Sequence, residues 1–124
     1  MKNNLIINLK TYKQGDSVIS LVKKIKKFYL KNKGKIGELV LGVQASDAYP
    51  VSKELKKTKI KLFVEHVDFQ KPGRNTGYII PESVKEKARG SFLNHSEHKL
   101  DFKTIKKTVK RCRETKLETA IFAK

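Results

Sequence analysis

Residues 92–99 read FLNHSEHK: an apolar run that stops on an amide, an imidazole, a hydroxyl and a carboxylate in succession. Such a cluster suits proton transfer, because an imidazole gives and retakes a proton near the middle of the pH range. Other polar groups fall at the ends of other apolar runs. They are Asn8 and Lys10 after residues 5–7, Gln44 after 38–43, and Glu65, His66 and Asp68 after 61–64. Each has a plainer reading. His95 can be a satisfied loop residue, Lys10 one surface lysine among many, and Glu97 a helix cap. His66, His95 and His98 lack the fixed spacing of metal ligands, so no metal is expected. The lone Cys112 excludes an internal disulfide and a cysteine cage.

The elements that carry these residues alternate. Apolar runs near residues 5, 38, 61, 90 and 118 predict strands. Between the first two, Val18, Leu21, Val22, Ile25, Phe28 and Tyr29 form one apolar stripe of a helix, with Asp16 or Ser17 as its cap. Ser46-Asp47 can cap a shorter helix reaching about residue 57, with Pro50 in its first turn. A polar, Gly-containing loop follows the third strand, and residues 81–88 predict a short third helix. The fourth spans 101–115, with Phe102, Ile105, Val109 and Cys112 on its core face. No two strands share a tight turn. Alternation of this kind predicts parallel strands with right-handed helical crossovers, whose C-terminal ends open the same way.

A length of 124 residues suits one domain. The formal charge of +17 invites a nucleic-acid reading, but it is mostly lysine and spread over several helices. It therefore reads first as a solvated surface. No apolar run is long enough to span a membrane, and no signal peptide is evident. A cytoplasmic location is the default expectation.

Three stretches in register carry a resemblance: INLKTYKQG at 7–15, FVEHVDFQKPGRNTGYIIPESVKE at 63–86 and FLNHSE at 92–97. Through them the chain resembles the triosephosphate isomerase family in its shorter archaeal form. The resemblance implies an α/β fold, a partial (β/α)8 TIM barrel of about five parallel strands with four intervening helices. It runs over residues 1–124 as a single domain, the N-terminal half of the barrel. It also implies interconversion of dihydroxyacetone phosphate and glyceraldehyde 3-phosphate through an enediolate, without a cofactor, in glycolysis and gluconeogenesis. Asn8 and Lys10 match the family's substrate-binding residues, and His95 matches its electrophile, with Lys10 assisting catalysis. Ser96 and Glu97 match residues that support the site. Gly73, Thr76 and Gly77 match a loop that reaches a neighbouring subunit. The expected partners are therefore triose phosphate and a homo-oligomer, or a complementary C-terminal half-barrel chain.

The family's general base, a glutamate after the sixth strand, has no match here, and neither do its phosphate-gripping turns after the seventh and eighth. Five strands are expected to leave two open edges and a wet inner face. The isolated chain is then expected to be weakly folded, aggregating or paired. Two rival readings follow: an inactive fragment serving as a binding module, for nucleic acid among others, or a complete small α/β domain with different chemistry.

Overall fold

The computed structural model describes residues 2–123. Five strands form one parallel sheet: β1 (Asn3–Asn8), β2 (Ile36–Val43), β3 (Lys61–Val64), β4 (Gly90–Leu93) and β5 (Glu118–Ile121). Three α-helices join them: α1 (Asp16–Lys31), α2 (Ala48–Glu54) and α3 (Phe102–Glu114). The order is β1-β2-β3-β4-β5, so each strand lies beside its successor. Right-handed crossovers repeated in that order put every helix on the same face. A doubly wound sheet would reverse its order and cover both faces. The sheet therefore has a helix-covered outer face and a separate inner one.

Side chains sort accordingly. Leu5, Ile7, Leu39, Leu41, Val43 and Leu62 pack outward against Val18, Val22 and Tyr29 of α1 and Val51 of α2. Val64 and Leu93 pack outward with Val84, Ala88, Cys112 and Leu117. The intervening strand residues face inward. There Phe63 and Phe92 lie with ring centroids 5.8 Å apart, and Phe92 meets Phe122 edge-on at 5.4 Å. Gly42 and Gly90 make room for this packing. A Cβ at Gly42 would overlap the Phe92 ring, and one at Gly90 would press on Phe63. At the N-terminal end of the strands the inner face is ionic: Lys61 meets Glu38 at 3.1 Å and Glu118 at 3.7 Å.

The inner face is only partly wet. Phe63 and Phe92 are buried by each other's company, whereas Ile6 on β1 is 60% exposed. Among the described residues no helix is long and apolar enough to cross a membrane.

Five sequence expectations need correction. Neither Asp16 nor Ser17 caps α1; Gly15 occupies the cap position and the Ser17 hydroxyl turns back to the Gln14 carbonyl at 2.7 Å. Residues 81–88 form a 3-10 turn, Pro81–Ser83, followed by turns rather than a third α-helix. Val84 and Ala88 in that segment are held by burial in the outer core rather than by a helical ladder. Phe102 is 75% exposed; the buried residues of α3 are Thr108, Arg111 and Cys112. Phe102 opens the helix, before the face that meets the sheet begins. Asp101 is the cap of α3, not part of it, and accepts the Thr104 N–H at 2.7 Å. The second helix starts later than its capping residues suggest, because Ala45–Asp47 form a 3-10 turn before α2. Pro50 does lie in the first turn of α2.

Candidate active site

The C-terminal ends of β1 to β4 surround an open cleft of about 720 Å³. Asn8, Lys10, Gln44, Glu65, His66, His95, Glu97 and His98 are among its lining residues. A second cleft, of about 650 Å³, opens at the other end near Glu38, Lys61 and Arg89. It holds none of the sequence candidates.

Lys10 follows β1 in a left-handed turn, φ 55°. That conformation is uncommon without glycine. Asn8 helps to hold it, its Oδ1 accepting the Lys10 N–H at 2.9 Å. The Lys10 ammonium reaches Glu97 at 3.0 Å. The hydrogen bond to Glu97, reinforced by its charge, raises the Lys10 ammonium above its ordinary range. The hydrogen bond from Lys10 likewise holds Glu97 below the ordinary carboxylate range. Both groups are therefore charged at neutral pH.

His95 is set by the turn after β4. Asn94, at φ 60°, donates from Nδ2 to the Phe122 carbonyl at 2.9 Å and accepts the Leu100 N–H at 2.9 Å. Asparagine tolerates this left-handed geometry better than most residues. The Glu97 main-chain N–H donates to His95 Nδ1 at 3.0 Å. A donor facing Nδ1 makes that nitrogen the acceptor, so a neutral ring carries its proton on Nε2. Phe122 packs edge-on to the ring at 5.0 Å. The result is a fixed imidazole with an N–H to offer.

Ser96 is exposed in the same turn and does not line the cleft. Gly73, Thr76 and Gly77 lie exposed on the loop after β3, also outside the cleft lining. The base of that loop is clamped. Arg111 donates to the carbonyls of Phe69 and Gln70 at 3.0 and 3.1 Å and pairs with Glu82 at 2.5 Å. Asp68 accepts the Ile79 N–H at 2.9 Å and meets His66 Nε2 at 2.9 Å. His66 stacks on His98 with centroids 3.9 Å apart. Burial first, then the His66 charge, lowers the His98 pKa. Among the described residues no group of three or more His, Cys, Asp or Glu is placed to hold a metal ion.

Sequence reasoning places Glu65 and Asn94 at strand ends but assigns neither a role. Asn94 carries a faint signal, an asparagine directly after a strand. Glu65 carries none beyond its position. In the structure burial pushes the Glu65 carboxyl up to about 7, with Asp47 and Glu97 adding to the rise and the Lys10 main-chain N–H opposing it.

A singly wound parallel sheet with polar groups gathered at its strand ends defines the (β/α) barrel class, of which this chain forms a curled half. The chain belongs to the triosephosphate isomerase family, whose model matches residues 3–122. The triosephosphate isomerase of Sulfurisphaera tokodaii is 34% identical over 122 residues, covering 96% of this chain and 51% of that protein. The Saccharolobus solfataricus protein of the same name is 35% identical over 120 residues, covering 94% and 50%. The crystal structure of triosephosphate isomerase from Bartonella henselae superposes with a TM-score of 0.76 at 20% identity, over 98% of this chain and 50% of that one. The chain spans about half the length of the curated relatives it matches.

Proposed function

We propose that the chain supplies the first half of a triose-phosphate isomerase site, completed by further strands in the same polypeptide or a second one. The observation that carries this reading is the convergence of Asn8, Lys10 and His95 on one cleft, with the His95 proton directed to Nε2. The reaction breaks a carbon–hydrogen bond beside a carbonyl. Its electron pair forms a carbon–carbon double bond, and the carbonyl oxygen becomes an enediolate oxyanion. His95 Nε2–H donates to that oxygen, and the Lys10 ammonium offsets its charge and that of the phosphate. Asn8 holds the Lys10 turn, and Glu97 steadies both the ammonium and the imidazole. The general base and the phosphate turns come from the completing strands. The reading extends to assembly: Gly73, Thr76 and Gly77 contact a neighbouring subunit of a homo-oligomer in the cytoplasm.

The test is reconstitution. The chain is co-expressed with the second half of the Sulfurisphaera tokodaii enzyme, and isomerisation of glyceraldehyde 3-phosphate is followed. Activity that needs both halves, and that His95→Ala lowers by roughly 100-fold or more, is expected. Activity indifferent to His95, or present without this chain, would overturn the reading.

A further inference from the structure

The positive charge is scattered along the chain but gathered in space. A singly wound sheet puts every helix on its outer face, so lysines far apart in sequence share one wall. The exposed side of α1 carries Lys23, Lys24, Lys27 and Lys31, and that of α3 carries Lys103, Lys106, Lys110 and Arg113. Among the described residues none of these cations pairs with a carboxylate. The carboxylates of the wall lie instead in its seams. Glu54 of α2 meets Lys26 of α1 at 3.8 Å, the Tyr49 hydroxyl of α2 donates to Glu86 at 3.4 Å, and Glu82 meets Arg111 of α3 at 2.5 Å. Acids join the elements, and lysines face out. Cations three and four places apart repel and weaken a helix, so bare stripes of them suit a wall that meets anions. Each helix also turns one aromatic ring to solvent. Phe28 on α1 is 49% exposed, Tyr49 on α2 48% and Phe102 on α3 75%. The Lys87 ammonium lies 5.8 Å from the centre of the Tyr49 ring, and that of Lys106 lies 5.9 Å from the Phe102 ring.

We propose that the outer helical wall binds single-stranded nucleic acid: the lysine stripes of α1 and α3 follow the phosphates, and Phe28, Tyr49 and Phe102 offer faces to the bases. Aromatic rings set among cations distinguish such a surface from a merely solvated one. A duplex keeps its bases stacked inside and gives the rings nothing to meet, so the single strand is the favoured partner. A lipid surface would attract the lysines equally, but it calls for apolar residues massed on one face. Here one ring stands on each helix, with cations between. The site is separate from the cleft at the strand ends. A closed barrel keeps its helices outside, so further strands would leave this wall open.

The full chain is titrated into a fluorescent thymidine oligomer of about 20 nucleotides, and anisotropy is read at salt from about 50 to about 200 mM. A dissociation constant of about 10 μM or tighter is expected at about 150 mM, with the logarithm of affinity falling by about 0.7 per phosphate met for each logarithm of salt. Replacing Lys103, Lys106 and Lys110 together by Gln should lower that slope by about 2. The same replacement at Lys13, Lys71 and Lys99, exposed on the loops, removes equal charge away from the wall and should leave the slope unaltered. Equal losses from both triple variants would reduce the effect to net charge and overturn the proposal. Phe102→Ala, at an exposed position, should weaken binding by about 5-fold or more and keep the slope. Unchanged affinity there, or equal binding of a duplex of the same length, overturns it. The duplex comparison needs no variant, so it decides even where a triple substitution fails to fold. Binding to phosphatidylserine vesicles but not to the oligomer would assign the wall to a lipid surface and overturn it as well. None of the altered residues lines the cleft, so these outcomes leave the isomerase reading to its own test.

Discussion

Glu65 is the residue whose environment departs furthest from its chemistry. Burial raises its pKa to about 7, well above the ordinary glutamate value of 4.5. A carboxyl raised on folding contributes stability that is fully present below its unfolded pKa and lost as pH rises through the folded value. The window runs from about pH 4.5 to about 7. A full shift of this size would correspond to about 3 kcal/mol, and solvent screening at a half-buried group reduces it to about 1–2 kcal/mol. Glu65→Gln should therefore raise stability at pH 8 by about 1–2 kcal/mol and change little at pH 4.5. Urea midpoints at the two pH values check this; equal effects at both would refute it. His95 and Lys10 are legible in the sequence because they end apolar runs and because their neighbours repeat family stretches. Glu65 is not. A glutamate after a strand looks the same whether exposed or buried, and this one is enclosed only when β1, β3, the turn before α2 and the loop after β4 meet.

At the scale of elements, the two inward glycines are spacers. The alternation of strand and helix is legible because each apolar run is short and separately punctuated. The inner packing is not, since a glycine within a strand gives no hint of which ring fills its place. Gly42→Ala drives a methyl into the Phe92 ring, and overpacking of this kind costs about 1–3 kcal/mol. Combining it with Phe92→Leu should recover part of that loss, although Phe92→Leu alone destabilises. Thermal unfolding of the two single variants and the double variant measures the coupling; strict additivity would mean the ring does not rely on the gap. The loop after β3 depends on another buried contact. Arg111 is nearly enclosed and satisfies two carbonyls of that loop. The sequence places Arg111 among exposed lysines, because the segment that buries it lies about forty positions away. Arg111→Met keeps the aliphatic bulk but strands those carbonyls and should cost about 2–4 kcal/mol. Amide exchange should quicken across residues 66–80 and leave β1 and β2 unchanged; uniform quickening would contradict a local clamp.

The whole molecule leaves its inner surface half used. Phe63, Phe92 and Phe122 cluster toward β3, β4 and β5, while β1 offers Ile6 at 60% exposure on the same surface. Among the described residues, β1 and β5 each have one strand neighbour, so each has an unpaired edge. Exposed apolar area beside unpaired strand edges favours association. What would cover these edges is suggested only by the family resemblance, since hydrophobic patterning in these strands records burial without saying which chain supplies it. If further βα units cover this surface, one complementary half should bind one copy of the chain, and Ile6 should lie in the contact. Ile6→Glu then separates two effects. The charge is already in water in the isolated chain and should leave its folding intact, yet it would be buried without a partner in the completed barrel, at a cost of several kcal/mol. Sedimentation of an equimolar mixture with the second half of the Sulfurisphaera tokodaii protein should give a one-to-one complex for the unaltered chain and separate species for Ile6→Glu. Equal pairing by both would place Ile6 outside the contact. The inner surface of this half-barrel would then have to be covered by something other than the rest of the barrel.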